Sequence, residues 1–212
     1  MNFDLFSIVV SIPAILVAFT FHEYAHAFVA DRLGDKTARF QGRLTFNPLV
    51  HIDPFGFIMI LLFGFGWAKP TPVNTRAFKN YRADDLKVSF AGPLANLAAA
   101  FIFTIITAIF WRVSVNIDNI FKAIFLQMLW STVIINVNLF FFNLLPVPGF
   151  DGYRILEDLF PEAFLKIRDQ LYRYQMILFF IVVFFAWKII SIPSEAVQDI
   201  LNKLFIAVAN FI

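Results

Sequence analysis

Between Lys122 and Asp151 the chain runs for 28 residues without a charged side chain. A stretch this long and apolar has no stable place in water. In a bilayer its one regular option is the α-helix, because every backbone N–H and C=O must then be satisfied within the segment. Spans of similar character are predicted over about Leu5 to Ala30, Val88 to Trp111 and Tyr174 to Ile192, with the 28-residue run forming a further one within Ala123 to Leu145. A helix over 5–30 measures ~39 Å at ~1.5 Å per residue, enough to cross a ~30 Å hydrocarbon core. Pro54 to Ala68 is also uncharged, but its fifteen residues would reach only ~22 Å. It reads as a re-entrant or interfacial segment.

Charged residues make up 15% of the chain, against about 25% in soluble domains. The spans leave no room for a separate soluble unit, so 1–212 reads as one membrane-embedded domain. Its core covers about 5–155, and a C-terminal span and surface helix cover about 174–212. The fold class is an all-α integral membrane protein. A small β-hairpin element is expected within Ala38 to Phe46, around Gln41-Gly42. After Pro193, the stripe Val197, Ile200, Leu201, Leu204, Phe205 and Val208 predicts an amphipathic helix lying on the bilayer surface. Basic residues scatter beside apolar helices, which argues against a nucleic-acid partner. Cysteine is absent, which removes disulfides, thiolate ligands and a cysteine nucleophile. Met1-Asn2-Phe3-Asp4 lacks the basic start of a signal peptide, so the first span is expected to stay in the mature protein.

Ionisable groups inside such spans are costly and mark function. Span one carries three of them in its last third: His22, Glu23 and His26, in the pattern His-Glu-x-x-His. On a helix, His22 and His26 stand one turn apart and can grip one metal ion from the same face. Glu23, ~100° around from His22, is placed to act on water at that ion. Two neutral nitrogen ligands and a carboxylate base are the equipment of a zinc hydrolase.

A protein zinc site needs a third ligand. The available residues are His51 and Asp151, the latter closing the charge-free run in the turn Pro146-Val147-Pro148-Gly149-Phe150-Asp151-Gly152. His26 lies near the end of span one and Asp151 just past the end of span three. They share a side of the membrane if three crossings separate them, and so only if Pro54 to Ala68 does not cross. On that topology thirteen of the seventeen lysines and arginines fall in 31–87 and 146–173. Basic loops stay in the cytoplasm, so the site is expected to open there, with the N-terminus external. His51 lies on that side too, so it stays open as a ligand beside its reading as a structural or substrate-facing residue; Asn96, the polar exception in span two, reads as an interhelical hydrogen-bonding residue.

Taken together, these residues resemble the site-2 protease family of intramembrane zinc metalloproteases, in its small bacterial form. The resemblance rests on His22-Glu23-Tyr24-Ala25-His26, on Ala91-Gly92-Pro93-Leu94-Ala95-Asn96, and on Asn143-Leu144-Leu145-Pro146-Val147-Pro148-Gly149-Phe150-Asp151-Gly152. It implies one zinc ion per chain held by His22, His26 and Asp151, with Glu23 as base and Asn143 as a helper near the scissile carbonyl. One departure is Gly149-Phe150, where the family more usually has Pro-Leu. The PDZ module and nucleotide-sensing domain of some relatives have no counterpart here.

The activity implied is zinc-dependent hydrolysis of a peptide bond in or near a transmembrane segment. The implied partners are single-span membrane proteins or signal-peptide remnants, together with the lipid bilayer of the cell membrane; the oligomeric state is left open. An extended substrate segment could add to an exposed strand at Arg39 to Phe46 or Val73 to Arg76. The rival readings are an inactive scaffold of the same fold and a metal-binding transporter. A transporter would account for the spans but not for a base beside two spaced histidines. A membrane desaturase needs more than three histidines, a serine intramembrane protease needs Gly-x-Ser, and an aspartyl one needs Gly-x-Gly-Asp; this chain has none of these.

Overall fold

The computed structural model describes residues 5–64 and 66–211. Met1 to Asp4, read above for the missing signal-peptide start, lie outside the described residues. Three helices are long and apolar enough to cross a membrane: α1 (Leu5–Leu33), α4 (Tyr81–Val113) and α5 (Ile120–Asn143). They pack against one another as a three-helix core. Small side chains let them approach closely. Ala14, Ala18, Ala27 and Ala30 on α1 and Ala99, Ala100 and Ala108 on α4 are all fully buried, and Val133 and Val137 of α5 fill the space they leave. The hydroxyls of Thr104 and Thr132 return hydrogen bonds of 2.8 and 2.9 Å to carbonyls one turn back, so they add no unmet donor to the apolar interior.

The expected β-hairpin within 38–46 is not there. Thr37–Phe40 forms a single helical turn, α2, because its backbone groups find local partners. Thr37 N–H and its hydroxyl both donate to Asp35 Oδ1, at 2.9 and 2.5 Å, and Arg43 N–H closes the turn onto Ala38 O at 2.9 Å. Arg43 then points into the protein, which leaves no second strand. Among the described residues the only β pairing is an isolated bridge between Ile52 and Ala68. Val73 to Arg76 is not a strand either, since Thr75–Ala77 is a 3-10 turn.

That bridge closes the short apolar segment into a hairpin. Asp53 caps α3 (Pro54–Phe63), its side chain accepting from Gly56 N–H. Ten residues of helix reach ~15 Å, about half of the hydrocarbon core. The chain then returns alongside, with Gly66 packed so tightly on Gly56 that a Cβ there would lie 2.0 Å from the Gly56 carbonyl oxygen. Lys69 N–H finally meets His51 O at 2.8 Å. Both ends of the excursion are therefore neighbours, and residues 69–80 stay on the side from which α3 departed.

After α5 come α6 (Asp151–Leu159), packed on α4, then α7 (Pro161–Arg173) and α8 (Gln175–Phe211). The expected fourth span and surface helix are one element, bent by 50° between Val182 and Trp187. Most of the stripe predicted to face the bilayer surface packs on the core instead, while Ile200 stays exposed. Leu201 is buried against Ala100, Val133 and Val137, with Val197 and Leu204 beside it.

Candidate metal centre

His22 and His26 project from the C-terminal half of α1 toward α4. Helical spacing puts both rings on one face, and two fixed acceptors set their orientation. His22 Nδ1–H donates to Asn96 Oδ1 at 2.7 Å. His26 Nδ1–H donates to the Val88 carbonyl, also at 2.7 Å. The Asn96 amide is itself locked, donating to Ala18 O at 3.0 Å and to Asn136 Oδ1 at 2.9 Å, and Asn136 in turn donates to Thr132 O at 2.8 Å. A line of side-chain amides thus runs from α5 through α4 to the His22 ring. Asn96 does bridge helices, as expected, but it also fixes a ring orientation that the sequence reading did not assign to it.

With both Nδ1 atoms protonated, both Nε2 atoms present lone pairs. They lie 3.0 Å apart. Asp151 Oδ2, the first residue of α6, sits 3.2 Å from His22 Nε2 and 3.3 Å from His26 Nε2. It is buried and has no hydrogen-bond donor of its own. Three electron pairs therefore converge with no proton between them, an arrangement that asks for a cation. Tetrahedral zinc with ligands at ~2.0 Å would separate them by ~3.3 Å. Gly92 makes the space: a Cβ there would stand 2.3 Å from His26 Nε2 and 2.6 Å from His22 Cε1. The donor set, the orphaned carboxylate oxygen and this glycine cradle all fit zinc. His22, His26 and Asp151 are the described group of three metal-ligating side chains within reach of one ion.

The turn that delivers Asp151 depends on the residues that depart from the family pattern. Gly149 has φ +104°, a conformation other residues rarely adopt. Phe150 anchors the turn, its ring 4.8 Å from that of Phe142 and 6.4 Å from that of Phe179. Gly152 lies against the Leu144 carbonyl, where a Cβ would come within 2.2 Å.

His22, Glu23, His26 and Asp151 line a cavity of about 580 Å³. Asn143 is on its wall, with its amide donating to Leu139 O at 3.0 Å, so one amide N–H remains for another acceptor. The opposite wall is the returning limb of the α3 hairpin, through Trp67, Pro70, Thr71 and Val73. Glu23 touches that wall: Thr71 N–H donates to Glu23 Oε2 at 2.7 Å, and Thr71 Oγ1 donates to Glu23 O at 3.0 Å. Nothing in the sequence pattern pointed to Thr71. His51 stays apart from the metal ligands. It is fully buried, its Nε2 donates to Thr45 O at 2.7 Å, and burial pulls its pKa down, which suits a neutral packing residue.

A model of the family described as "Peptidase family M50" matches residues 10–120 and 111–187. Three similar proteins share the printed name "Putative zinc metalloprotease". YwhC of Bacillus subtilis is 42% identical over 197 residues, which is 90% of each chain. Rip2 of Mycolicibacterium smegmatis is 33% identical over 147 residues, 67% of this chain and 54% of that protein. A third, from Methanocaldococcus jannaschii, is 32% identical over 161 residues, 74% of this chain and 73% of that protein. No solved structure matches the chain.

Proposed function

We propose that this chain, which belongs to peptidase family M50, is an endopeptidase that cuts membrane proteins in or near a transmembrane segment. The observation that carries this reading is a glutamate and two histidines on a helix long enough to span a bilayer, with Asp151 completing the ligand set from the start of α6, at a cavity large enough for an unwound peptide. His22 Nε2, His26 Nε2 and Asp151 Oδ2 would hold the zinc. When bound, the ion supplies a Lewis acid and lowers the pKa of water from 15.7 to about 7. The rest of the chemistry falls to the protein. Glu23 has one oxygen tied to Thr71 and the other unengaged by any described hydrogen bond, so it can take a proton from water as the water oxygen bonds to the carbonyl carbon. It returns that proton to the amide nitrogen as the C–N bond breaks. The spare N–H of Asn143, on the cavity wall, would donate to the carbonyl oxygen as negative charge builds there.

A substrate helix has to unwind first, because its carbonyls are otherwise hydrogen-bonded. Single-span proteins and signal-peptide remnants are the substrates this cavity suits. The hairpin that turns back supports a topology in which 31–87 and 146–173 share the cytoplasmic side, with the site opening there and the N-terminus outside. Two experiments test the reading. Purified protein in liposomes should cut a single-span substrate, and the Glu23→Gln variant should leave it intact; equal rates in the two remove Glu23 from the chemistry. A reporter after residue 80 should read cytoplasmic and one within 115–119 external; the reverse result overturns the orientation.

A further inference from the structure

Pro70-Thr71-Pro72 offers only one backbone N–H, since proline has none. The prolines also hold the segment extended, because the residue before a proline is pushed out of the helical region. That single N–H, on Thr71, is the one that binds Glu23 Oε2. The other end of the same peptide group is engaged too. Arg43, 4% exposed, donates to the Pro70 carbonyl at 2.9 Å and also to the carbonyls of Lys69 and Val50. Pro70 C=O and Thr71 N–H belong to one peptide plane. A buried guanidinium therefore grips its oxygen while a carboxylate grips its hydrogen.

None of the hydrogen bonds described for Arg43 goes to a carboxylate, which is unusual for a buried cation. Burial lowers its pKa, and the Glu23 carboxylate acts in the opposite sense. We infer that Thr71 is a positioning residue for Glu23, and that Arg43 acts through the Pro70–Thr71 peptide to hold it there. This rests on the reading of Glu23 as the base. The peptide dipole lies between opposite charges, and hydrogen bonds in such a chain strengthen one another. Pinning Oε2 fixes the rotation of the carboxylate and leaves Oε1 to carry the proton. The second bond, from the Thr71 hydroxyl to Glu23 O, ties the strand to the helix backbone as well as to the side chain. The α3 hairpin is thereby coupled to the base and not to the metal ligands.

The test uses the full chain and two independent readouts. In protein labelled with 15N-threonine, hydrogen exchange at the Thr71 amide should be slow in the wild type and accelerate in Glu23→Ala, with or without zinc. An unchanged Thr71 amide overturns the positioning role, whether or not the protein cleaves anything. In turnover, Thr71→Pro deletes both donors within an extended backbone, and Arg43→Lys keeps the charge but loses the planar fork. Each should lower kcat by about tenfold to a hundredfold, the cost of a misplaced catalytic group, with KM and zinc content unchanged. Thr71→Ser keeps both donors and should restore turnover. Parental kcat in zinc-loaded Thr71→Pro, or zinc lost in step with kcat across the series, contradicts the inference. A wild type that cuts nothing defeats the protease reading and leaves the amide exchange to decide the contact.

Discussion

His22 is held by a relay of side-chain amides that crosses two helices, through Asn96 and Asn136 to the Thr132 carbonyl. Glu23, the next residue, is held by a backbone N–H on a hairpin that packs outside the three-helix core. The two walls of the cavity thus fix adjacent residues by different means. One wall depends on which side chains are present at which helical positions. The other depends on where a proline-flanked backbone runs. The difference separates metal binding from turnover: damage to the first wall should cost the ion, and damage to the second should spare it.

The largest effect is expected on the helical wall. Gly92→Val puts a branched side chain where a Cβ alone would already stand 2.3 Å from His26 Nε2, so the variant should retain neither zinc nor activity. Normal zinc content in Gly92→Val would show that the imidazoles can move aside, and that the cradle is not what it appears from the geometry. Asn96→Ala comes next. It removes the acceptor that orients His22, a loss that typically costs about 10-fold to 100-fold in metal affinity; competition with a chelator reads it directly. If Asn96→Ala binds zinc as tightly as the parent, the relay is helix packing only.

Smaller effects are expected on the hairpin wall. Asp53→Ala removes the N-cap of α3 and should destabilise the hairpin by ~1 kcal/mol, seen as faster amide exchange over 54–63 with zinc content unchanged. A fall in zinc affinity in Asp53→Ala would join the two walls and break the comparison. His51→Ala should leave zinc content unaltered, since the ring stands apart from the three ligands.

The helical wall was legible in the sequence because its determinants are residue identities at fixed spacings. Charge-free length gave the spans, and His22 and His26 fell on one face by helical period. The topology required His26 and Asp151 to share a side, which the returning hairpin satisfies, and the family resemblance chose Asp151 over His51. Other features depend on long-range contacts that no local pattern encodes. The residues around Gln41-Gly42 looked strand-like, but Asp35 and the inward turn of Arg43 spend those backbone groups locally. The stripe on 197–208 was read correctly as apolar, yet Val197, Leu201, Leu204 and Phe205 pack on α4 and α5 and leave only Ile200 of that stripe exposed. Thr71 was invisible for a different reason. Its bond to Glu23 runs through the backbone N–H, so no side-chain pattern marked the position.

The most direct measurement is metal content. Purified wild type and Glu23→Gln should each hold about one zinc per chain, whereas Asp151→Ala should fall well below that, because three protein ligands define the site. Full zinc occupancy in Asp151→Ala, or loss of zinc in Glu23→Gln, would contradict the division between the residues that hold the ion and the residue that moves the proton.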